Sequence, residues 1–179
     1  MAQARWAAEL ADTAPPGRLL ELCSGAGQIG LATASLCRSR DLVMVDADAR
    51  ACSYARANAT RAGLGTAVDV RQAPLQDALA PEELFAVIVA DPPWVPSSGT
   101  ARYPEDPLWA IDGGADGLDV ARLCLHVIAD HLRPGGSAVL QLGTADQVRS
   151  LAADLGHELQ IVGRRDIPAA NGILVQLTR

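Results

Sequence analysis

The most informative segment of this chain of 179 residues is Leu19-Leu20-Glu21-Leu22-Cys23-Ser24-Gly25-Ala26-Gly27-Gln28-Ile29-Gly30. Its first half is an apolar run typical of a buried strand, and its second half is a glycine-rich turn that leads into a helical pattern. Glycines allow positive φ and let the backbone approach a ligand closely. Gly25, Gly27 and Gly30 satisfy G-x-G-x-x-G, and Asp46 ends the next predicted strand. These features predict a strand, a ligand-binding turn and a helix in that order.

Short apolar runs alternate with longer segments of helical periodicity along the rest of the chain, a pattern typical of a parallel sheet covered by helices on both faces. We therefore predict an α/β fold, a three-layer Rossmann-like doubly wound sheet of seven strands with the last strand antiparallel. Residues 1–17 are predicted to form an N-terminal helix and turn, and 18–179 a single domain. The predicted strands are 18–23, 41–46, 67–71, 85–90, 136–142, 157–164 and 172–178. The predicted helices are 2–12, 28–38, 48–62, 117–132 and 145–155, with Pro134-Gly135-Gly136 and Gly156 ending the last two.

Composition and charge bear on partners and location. The net charge is −6, and residues 105–119 contain five acids and no base, which disfavours a nucleic-acid partner. The four cysteines lie far apart without a Cys-x-x-Cys pair, so neither a zinc site nor a disulfide framework is predicted. No stretch approaches the length of a membrane span and no apolar signal core is present, so we expect a cytoplasmic protein away from membranes.

Asp91-Pro92-Pro93-Trp94 follows the buried-strand run 86–90 at its carboxyl end. Ligands of doubly wound sheets bind beyond the carboxyl ends of strands, so this turn and the glycine loop should lie close together. Two prolines hold the chain extended and remove two N–H donors, leaving the Pro92 carbonyl free to face the cleft. The Asp91 carboxylate and that carbonyl can accept hydrogen bonds from an NH2 group, on which Trp94 can stack. The alternative is a rigid proline turn with a capping aspartate and a core tryptophan.

The glycine loop and Asp46 suit either S-adenosylmethionine or NAD, because a carboxylate can accept from both ribose hydroxyls of either cofactor. Glu21 favours S-adenosylmethionine, since it lies four residues before Gly25, where methyltransferases keep an acid that faces the methionine ammonium. An NAD-dependent oxidoreductase that uses Gly25, Gly27, Gly30 and Asp46 is the rival interpretation. A tight packing turn without any ligand is a further alternative.

From residue 18 onwards the chain resembles the HemK-type glutamine methyltransferases and, more broadly, the small-domain class I methyltransferases. The matching segments are Glu21–Gly30 for the first motif, Asp46 for the ribose-binding acid, Asp91–Trp94 for Asn-Pro-Pro-Tyr, Ala110–Leu118 for Gly-Gly-x-Asp-Gly-Leu, and Gly143 with Gln147 for Gly-x-x-x-Gln. The resemblance implies S-adenosylmethionine as cofactor and methyl transfer by direct displacement, without a metal, to a planar NH2-bearing acceptor. A protein glutamine amide is favoured; the amine of an RNA or DNA base and a small metabolite are alternatives.

The resemblance also assigns roles to individual residues. The residues expected to act in catalysis are Asp91, Pro92, Pro93 and Trp94. The residues expected to bind the cofactor are Glu21, Cys23, Ser24, Gly25, Gly27, Ile29, Asp46, Ala47, Gln72 and Ala73.

Four features depart from the family pattern. The helical N-terminal domain of the family corresponds here only to the short predicted helix at 2–12, which keeps open a non-catalytic binding subunit. Asp91 and Trp94 replace Asn and Tyr, as in adenine amino-methyltransferases, and this puts the acceptor nitrogen in question. Pro74 stands where the family has the Asp that binds the adenine amine, so we expect cofactor recognition there to use another residue, for which Gln72 is the candidate, or to be weaker. Gln141 replaces the usual Glu at the end of the fifth strand.

Overall fold

The protein is built on one seven-stranded sheet whose last strand runs against the others. The computed structural model describes residues 1–37, 39–167 and 172–179. Its strands are β1 (Arg18–Leu22), β2 (Leu42–Asp46), β3 (Val68–Gln72), β4 (Phe85–Ala90), β5 (Leu132–Leu142), β6 (Gln160–Ile167) and β7 (Gly172–Thr178). They are hydrogen-bonded in the order β3-β2-β1-β4-β5-β7-β6. The pairs among β1 to β5 are parallel and β7 is antiparallel to both neighbours, which confirms the predicted topology.

Helices cover both faces of this sheet. They are α1 (Ala2–Thr13), α2 (Gln28–Leu36), α3 (Ala49–Arg61), α4 (Leu108–Ile111), α5 (Asp119–His131) and α6 (Ala145–Ala153). Five of them match the predicted helices to within two residues, while α4 was not predicted; residue 38, the predicted end of α2, lies outside the described residues. Within the described ranges, none of the helices is long and apolar enough to cross a bilayer.

The two faces of the sheet carry separate cores, as a three-layer fold requires. Leu19 and Val87 pack with residues of α1, α2 and α3 on one face. Leu20 and Ile88, one position along each strand, pack with residues of α5 and α6 on the other. All six residues of β4 are buried, because a central parallel strand is covered on both sides. This burial explains why the parallel strands appear in the sequence as uninterrupted apolar runs.

Two strand boundaries differ from the prediction. β5 begins at Leu132 instead of 136, because Pro134–Gly136 form an irregularity within the strand: Leu132 pairs with Phe85, and the next partner of β4 is Ser137, opposite Val87. β6 lies three residues later than predicted. Its position follows from antiparallel pairing with β7 along its length, from residue 160 opposite 178 to residue 167 opposite 172.

The N-terminal helix is joined to the centre of the sheet. The buried side-chain amide of Gln3 donates to the Ala90 carbonyl at 2.9 Å and to the Val139 carbonyl at 3.0 Å. Arg40 donates to four carbonyls at the end of α1 and in the following turn, those of Ala11, Ala14, Pro15 and Gly17, at 2.8 to 3.0 Å. Residues 1–17 therefore share one core with the remainder of the chain.

Candidate active site

The carboxyl ends of β1 and β4 lie side by side where the strand order reverses. Leu22 pairs with Ala90, so the glycine loop and the Asp-Pro-Pro-Trp turn leave the sheet next to each other. The chain winds outward from β1 to β3 and then returns to β4 on the other side of β1, and such a reversal opens a crevice for a ligand. A cavity of about 550 Å³ occupies this position and is termed the main cleft.

The glycine loop forms one wall of the main cleft and depends on left-handed backbone. Gly25 and Gly27 have φ of 52° and 81°, and Gly27 is the residue from which α2 begins. Cys23 also has a positive φ, 55°, a conformation that costs a residue with a Cβ roughly 1–2 kcal/mol. Cys23 and Gly25 both line the cleft. The chain therefore holds strained backbone at the point where a ligand would meet the loop.

Asp46, at the end of β2, connects two segments of the cleft wall. One carboxylate oxygen accepts a hydrogen bond from the Gly25 backbone N–H at 2.7 Å, and the other accepts from the Asp48 N–H at 2.9 Å. Each carboxylate oxygen has a second lone pair, so the group can still accept from hydroxyls of a ligand. Asp46 thus shapes the cleft and remains able to bind ribose.

Glu21 lies inside β1, beneath the glycine loop, and is 3% exposed. Burial raises the pKa of its carboxyl to about 8, and the nearby acids Asp91 and Asp46 also raise it, while the Gly30 and Ile29 backbones oppose this effect. Among the described residues its Oε2 has no hydrogen-bond partner. A Cβ at position 30 would overlap this oxygen, which explains the third glycine of the loop. A cationic ligand group beside this carboxyl would lower its pKa and favour the ionised form.

The predicted cofactor residues fall into two groups. Those that line the main cleft are Cys23, Gly25, Asp46 and Ala47, whereas Glu21 in β1, Ser24 and Gly27 in the glycine loop and Ile29 in α2 do not line it. The structure does not bring Gln72 or Ala73 into the wall. Gln72 ends the edge strand β3 with its side chain exposed, and the chain reaches the cleft only at the following residues, 74–76. Pro74 itself therefore takes the position expected for a polar contact.

The wall opposite the glycine loop was missing from the sequence prediction. Trp109 and Ala110, from α4, and Val120 and Leu123, from α5, line this side of the main cleft. The sequence did offer one signal for this wall, because Trp109 lies next to the Ala110–Leu118 signature in a chain with only 3% aromatic residues. The position of Trp109 in the cleft could not be inferred from the sequence, because α4 is a single turn within a long irregular segment.

A second, smaller cavity of about 190 Å³, termed the acceptor pocket, opens beyond the Asp-Pro-Pro-Trp turn. It is lined by all four residues of the turn and also by Tyr103, Asp106 and Gln141. Asp91, Pro93 and Ala110 line both this pocket and the main cleft. Burial raises the pKa of the Asp91 carboxyl to about 6. The turn therefore separates two adjoining cavities, and one carboxyl group faces both.

The Trp94 ring packs directly on the backbone of a glycine, Gly143. A Cβ at position 143 would overlap the indole ring, and a Cβ at position 117 would overlap the Trp94 carbonyl oxygen. Gly117 also has a φ of 77°, which glycine alone adopts freely. The family glycines are thus required by the close approach of the Asp-Pro-Pro-Trp turn.

Gln147, on α6, ties the same turn to its surroundings. The side chain is 6% exposed, and its Nε2 donates to the carbonyls of Trp94 at 2.7 Å and Asp116 at 3.2 Å. Its Oε1 accepts from the backbone N–H groups of Gly143 at 3.0 Å and Thr144 at 3.1 Å. One amide therefore joins the ends of β4 and β5 and the segment before α5.

Among the described residues, neither the thiols nor the possible metal ligands form a further site. The cysteines at 23, 37, 52 and 124 are free, and the sulfurs of Cys23 and Cys124 lie 3.9 Å apart. Across the part of the chain that the structure describes, no group of three His, Cys, Asp or Glu side chains is placed to hold a metal ion.

The strand order and the paired cavities at the β1/β4 reversal define the class I methyltransferase fold. The chain belongs to the methyltransferase small domain family, whose model matches residues 6–103. Among curated relatives, the release factor glutamine methyltransferase of Gloeobacter violaceus is 36% identical over 130 residues, covering 70% of this chain and 45% of the relative. The ribosomal protein uL3 glutamine methyltransferase of Bradyrhizobium diazoefficiens is 32% identical over 130 residues, covering 70% and 40%. The chain thus spans about half the length of the curated relatives it matches.

Solved structures agree on the fold. TrmN from Thermus thermophilus superposes with a TM-score of 0.72 at 20% identity, covering 98% of this chain and 48% of that one. An RNA methyltransferase from Salinibacter ruber, in complex with S-adenosyl-L-homocysteine, has a TM-score of 0.61 at 19% identity, covering 97% and 87%. At these identities the likeness concerns the fold alone.

Proposed function

We propose that this protein transfers a methyl group from S-adenosylmethionine to the nitrogen of a planar NH2 group, with a protein glutamine amide as the favoured acceptor. The observation that carries the proposal is the wall shared by two cavities, because Asp91 and Pro93 face both the main cleft and the acceptor pocket. A donor and an acceptor in these cavities would meet at the Asp-Pro-Pro-Trp turn. The names of the glutamine methyltransferase relatives support the choice of acceptor.

The residues that line the main cleft, together with Glu21 beneath the glycine loop, fit the cofactor. The buried carboxyl of Glu21, with one oxygen unpartnered, would hold the methionine ammonium, and the free lone pairs of Asp46 would accept from the ribose hydroxyls. Pro74, Leu75 and Trp109 offer apolar surface for the adenine. When bound, the cofactor supplies a methyl group already activated by its sulfonium, so the protein needs alignment and a polar site more than a nucleophile.

The acceptor pocket fits a planar group that carries NH2. The pKa of Asp91 is about 6, so the carboxylate is mostly ionised near neutral pH and can accept a hydrogen bond from the acceptor N–H. Trp94 lines the same pocket and would stack on the planar acceptor. A proline at both following positions removes competing N–H donors from this turn. Positioning by these groups would direct the nitrogen at the methyl carbon.

Replacing Asp91 tests the assignment. Asp91→Ala should lower turnover by about 100-fold or more while S-adenosylhomocysteine binding changes little, because removing one positioned polar group typically costs this much. Asp91→Asn keeps an acceptor oxygen and should retain most turnover. The wild-type rate should fall as the pH drops below about 6, where Asp91 becomes protonated, and Asp91→Asn should not show this fall. Asp130→Ala, an exposed acid at the far end of α5, is the matched control.

Two measurements separate the rivals. Titration calorimetry with S-adenosylhomocysteine and with NAD distinguishes the methyltransferase from an oxidoreductase, and heat with NAD alone would reject the proposal. Incubation with labelled S-adenosylmethionine and fractionated cell extract then shows which fraction gains label. Label in protein supports a glutamine amide, label in nucleic acid or small molecules rejects that acceptor, and binding without label in any fraction supports a non-catalytic subunit.

A further inference from the structure

The surface beside the acceptor pocket exposes large apolar side chains. Every residue from 101 to 110 is exposed, and within this segment Tyr103, Leu108 and Trp109 have 41%, 63% and 59% of their surface accessible. Leu123 is 44% exposed and lines the main cleft together with Trp109. These four side chains are termed the rim patch. Exposed apolar groups gathered at the mouth of a cleft indicate a surface that contacts a partner.

The segment that carries most of the rim patch is held firmly at its base. The Val95 N–H donates to the Ile111 carbonyl at 2.9 Å, and the Gly113 N–H donates to the Val95 carbonyl at 2.9 Å. The Ser97 hydroxyl donates to an Asp112 carboxylate oxygen at 2.7 Å. Both ends of the segment are therefore joined to each other, and the exposed side chains are presented on a closed loop.

The charge around the rim patch is negative. Within the described residues, Glu105 and Asp106 take part in no ion pair, and Asp106 lines the acceptor pocket. Arg102 is the one base among residues 101–110, and Asp91 adds a further carboxyl at the pocket. This field attracts a cationic partner and repels the phosphates of nucleic acids.

We propose that the rim patch docks a basic segment of a substrate protein. Arginine or lysine side chains of that segment would meet Glu105 and Asp106, and its apolar groups would cover Leu108 and Trp109. Because Asp106 and Tyr103 also line the acceptor pocket, the basic residues lie only a few positions from the side chain that enters the pocket. The inference rests on the proposed function, since it names the class of protein that delivers the acceptor.

Labelled peptides test this proposal on the whole chain with S-adenosylhomocysteine present. Each short peptide carries one central glutamine, flanked by several arginines, several serines or several glutamates; a single-stranded deoxyadenosine oligonucleotide is the fourth probe. Fluorescence anisotropy gives the dissociation constants at low and high salt. Methyl transfer to the same peptides is measured separately with labelled S-adenosylmethionine.

The arginine peptide should bind about tenfold more tightly than the serine peptide at low salt, because an exposed ion pair contributes about two- to fivefold in affinity. This advantage should shrink as salt screens the charges. Glu105→Gln should reduce it about threefold and the double change with Asp106→Asn should remove it. Glu82→Gln changes an exposed acid just before β4, at the amino-terminal ends of the parallel strands, and should leave the advantage unchanged.

A second pair of variants tests the apolar contact. Leu108→Ser should weaken all three peptides by a similar factor, whereas Leu36→Ser, 61% exposed at the end of α2, should not. Equal binding of the arginine and serine peptides, or tighter binding of the oligonucleotide, would overturn the proposal. Charge-dependent binding without methylation would retain the docking surface and reject the glutamine acceptor. Methylation without a preference for the arginine peptide would support the glutamine acceptor and reject the docking surface.

Discussion

Replacing Gly143 with alanine tests whether the Trp94 ring needs a residue without a side chain at position 143. Gly143 is not among the residues with positive φ, so alanine fits its backbone and the change is steric. The added Cβ would overlap Cε3 of the indole and lie 2.7 and 2.8 Å from Cζ3 and Cδ2. Carbon atoms in contact are normally about 3.5–4.0 Å apart, so the ring must shift by roughly 1 Å.

This shift has two measurable costs. Overpacking of this kind lowers the free energy of unfolding by about 1–3 kcal/mol. Moving a group that positions the acceptor by roughly 1 Å lowers kcat by about 100-fold. Gly143 and Trp94 do not line the main cleft, so the Kd for S-adenosylhomocysteine should change by less than about twofold.

Urea unfolding followed by circular dichroism measures the stability, titration calorimetry the Kd, and methyl transfer to a glutamine peptide the kcat. Gly156→Ala is the matched control, because its Cβ would meet no atom within 4 Å. Combining Gly143→Ala with Trp94→Leu makes room for the methyl group and should restore part of the lost stability. If Gly143→Ala behaved like Gly156→Ala, the close packing of Trp94 on this backbone would be disproved.

Three further predictions concern stability. Folding raises the pKa of the Glu21 carboxyl from 4.5 to about 8, so the folded chain binds the carboxyl proton more tightly than the unfolded chain does. The protonated carboxyl therefore contributes its full stability below pH 4.5, and this contribution is lost as the pH rises towards 8. Glu21→Gln should therefore flatten the fall in the free energy of unfolding that urea titrations give across that range. Gln147→Leu should lower the free energy of unfolding by about 3 kcal/mol or more, since several buried backbone groups lose their partner. Gln147→Glu should also destabilise the fold, because it replaces the Nε2 donor by an oxygen that faces the carbonyls of Trp94 and Asp116. Arg40→Leu should cost about 2 kcal/mol in the same assay, because a charged donor to four carbonyls is removed, whereas the exposed Arg50→Leu should cost little.

The layered fold could be predicted because its signals are local. Buried parallel strands such as β4 appear as unbroken apolar runs, and turn residues separate them from helices with their own period. The strand boundaries were predicted wrongly where they depend on pairing with a neighbouring strand. The position of β6 depends on its register with β7, and the start of β5 depends on how the irregularity at 133–136 is accommodated beside β4.

The two halves of the candidate site differed in how well they could be predicted. Cys23, Gly25, Asp46 and Ala47 were assigned to cofactor binding by the family resemblance, and they line the main cleft because they lie at or just beyond the carboxyl ends of β1 and β2. Gln72 was expected to compensate for Pro74, yet an edge strand leaves its side chain in solvent, and no pattern in one sequence shows where the chain turns inward. The packing of Trp94 on position 143 was equally hidden, because it depends on segments distant in the chain.

The hydrogen bonds of Gln147 also form late during synthesis of the chain. The link from Gly25 to Asp46 spans 21 positions in the sequence, while the link from Gln147 to the Trp94 carbonyl spans 53. Since a protein is made from its N-terminus, the glycine loop and its acid emerge from the ribosome long before position 147 is synthesised. The acceptor turn therefore lacks this hydrogen bond until the chain has been synthesised through position 147. That hydrogen bond is in place only once α6 has docked on the sheet.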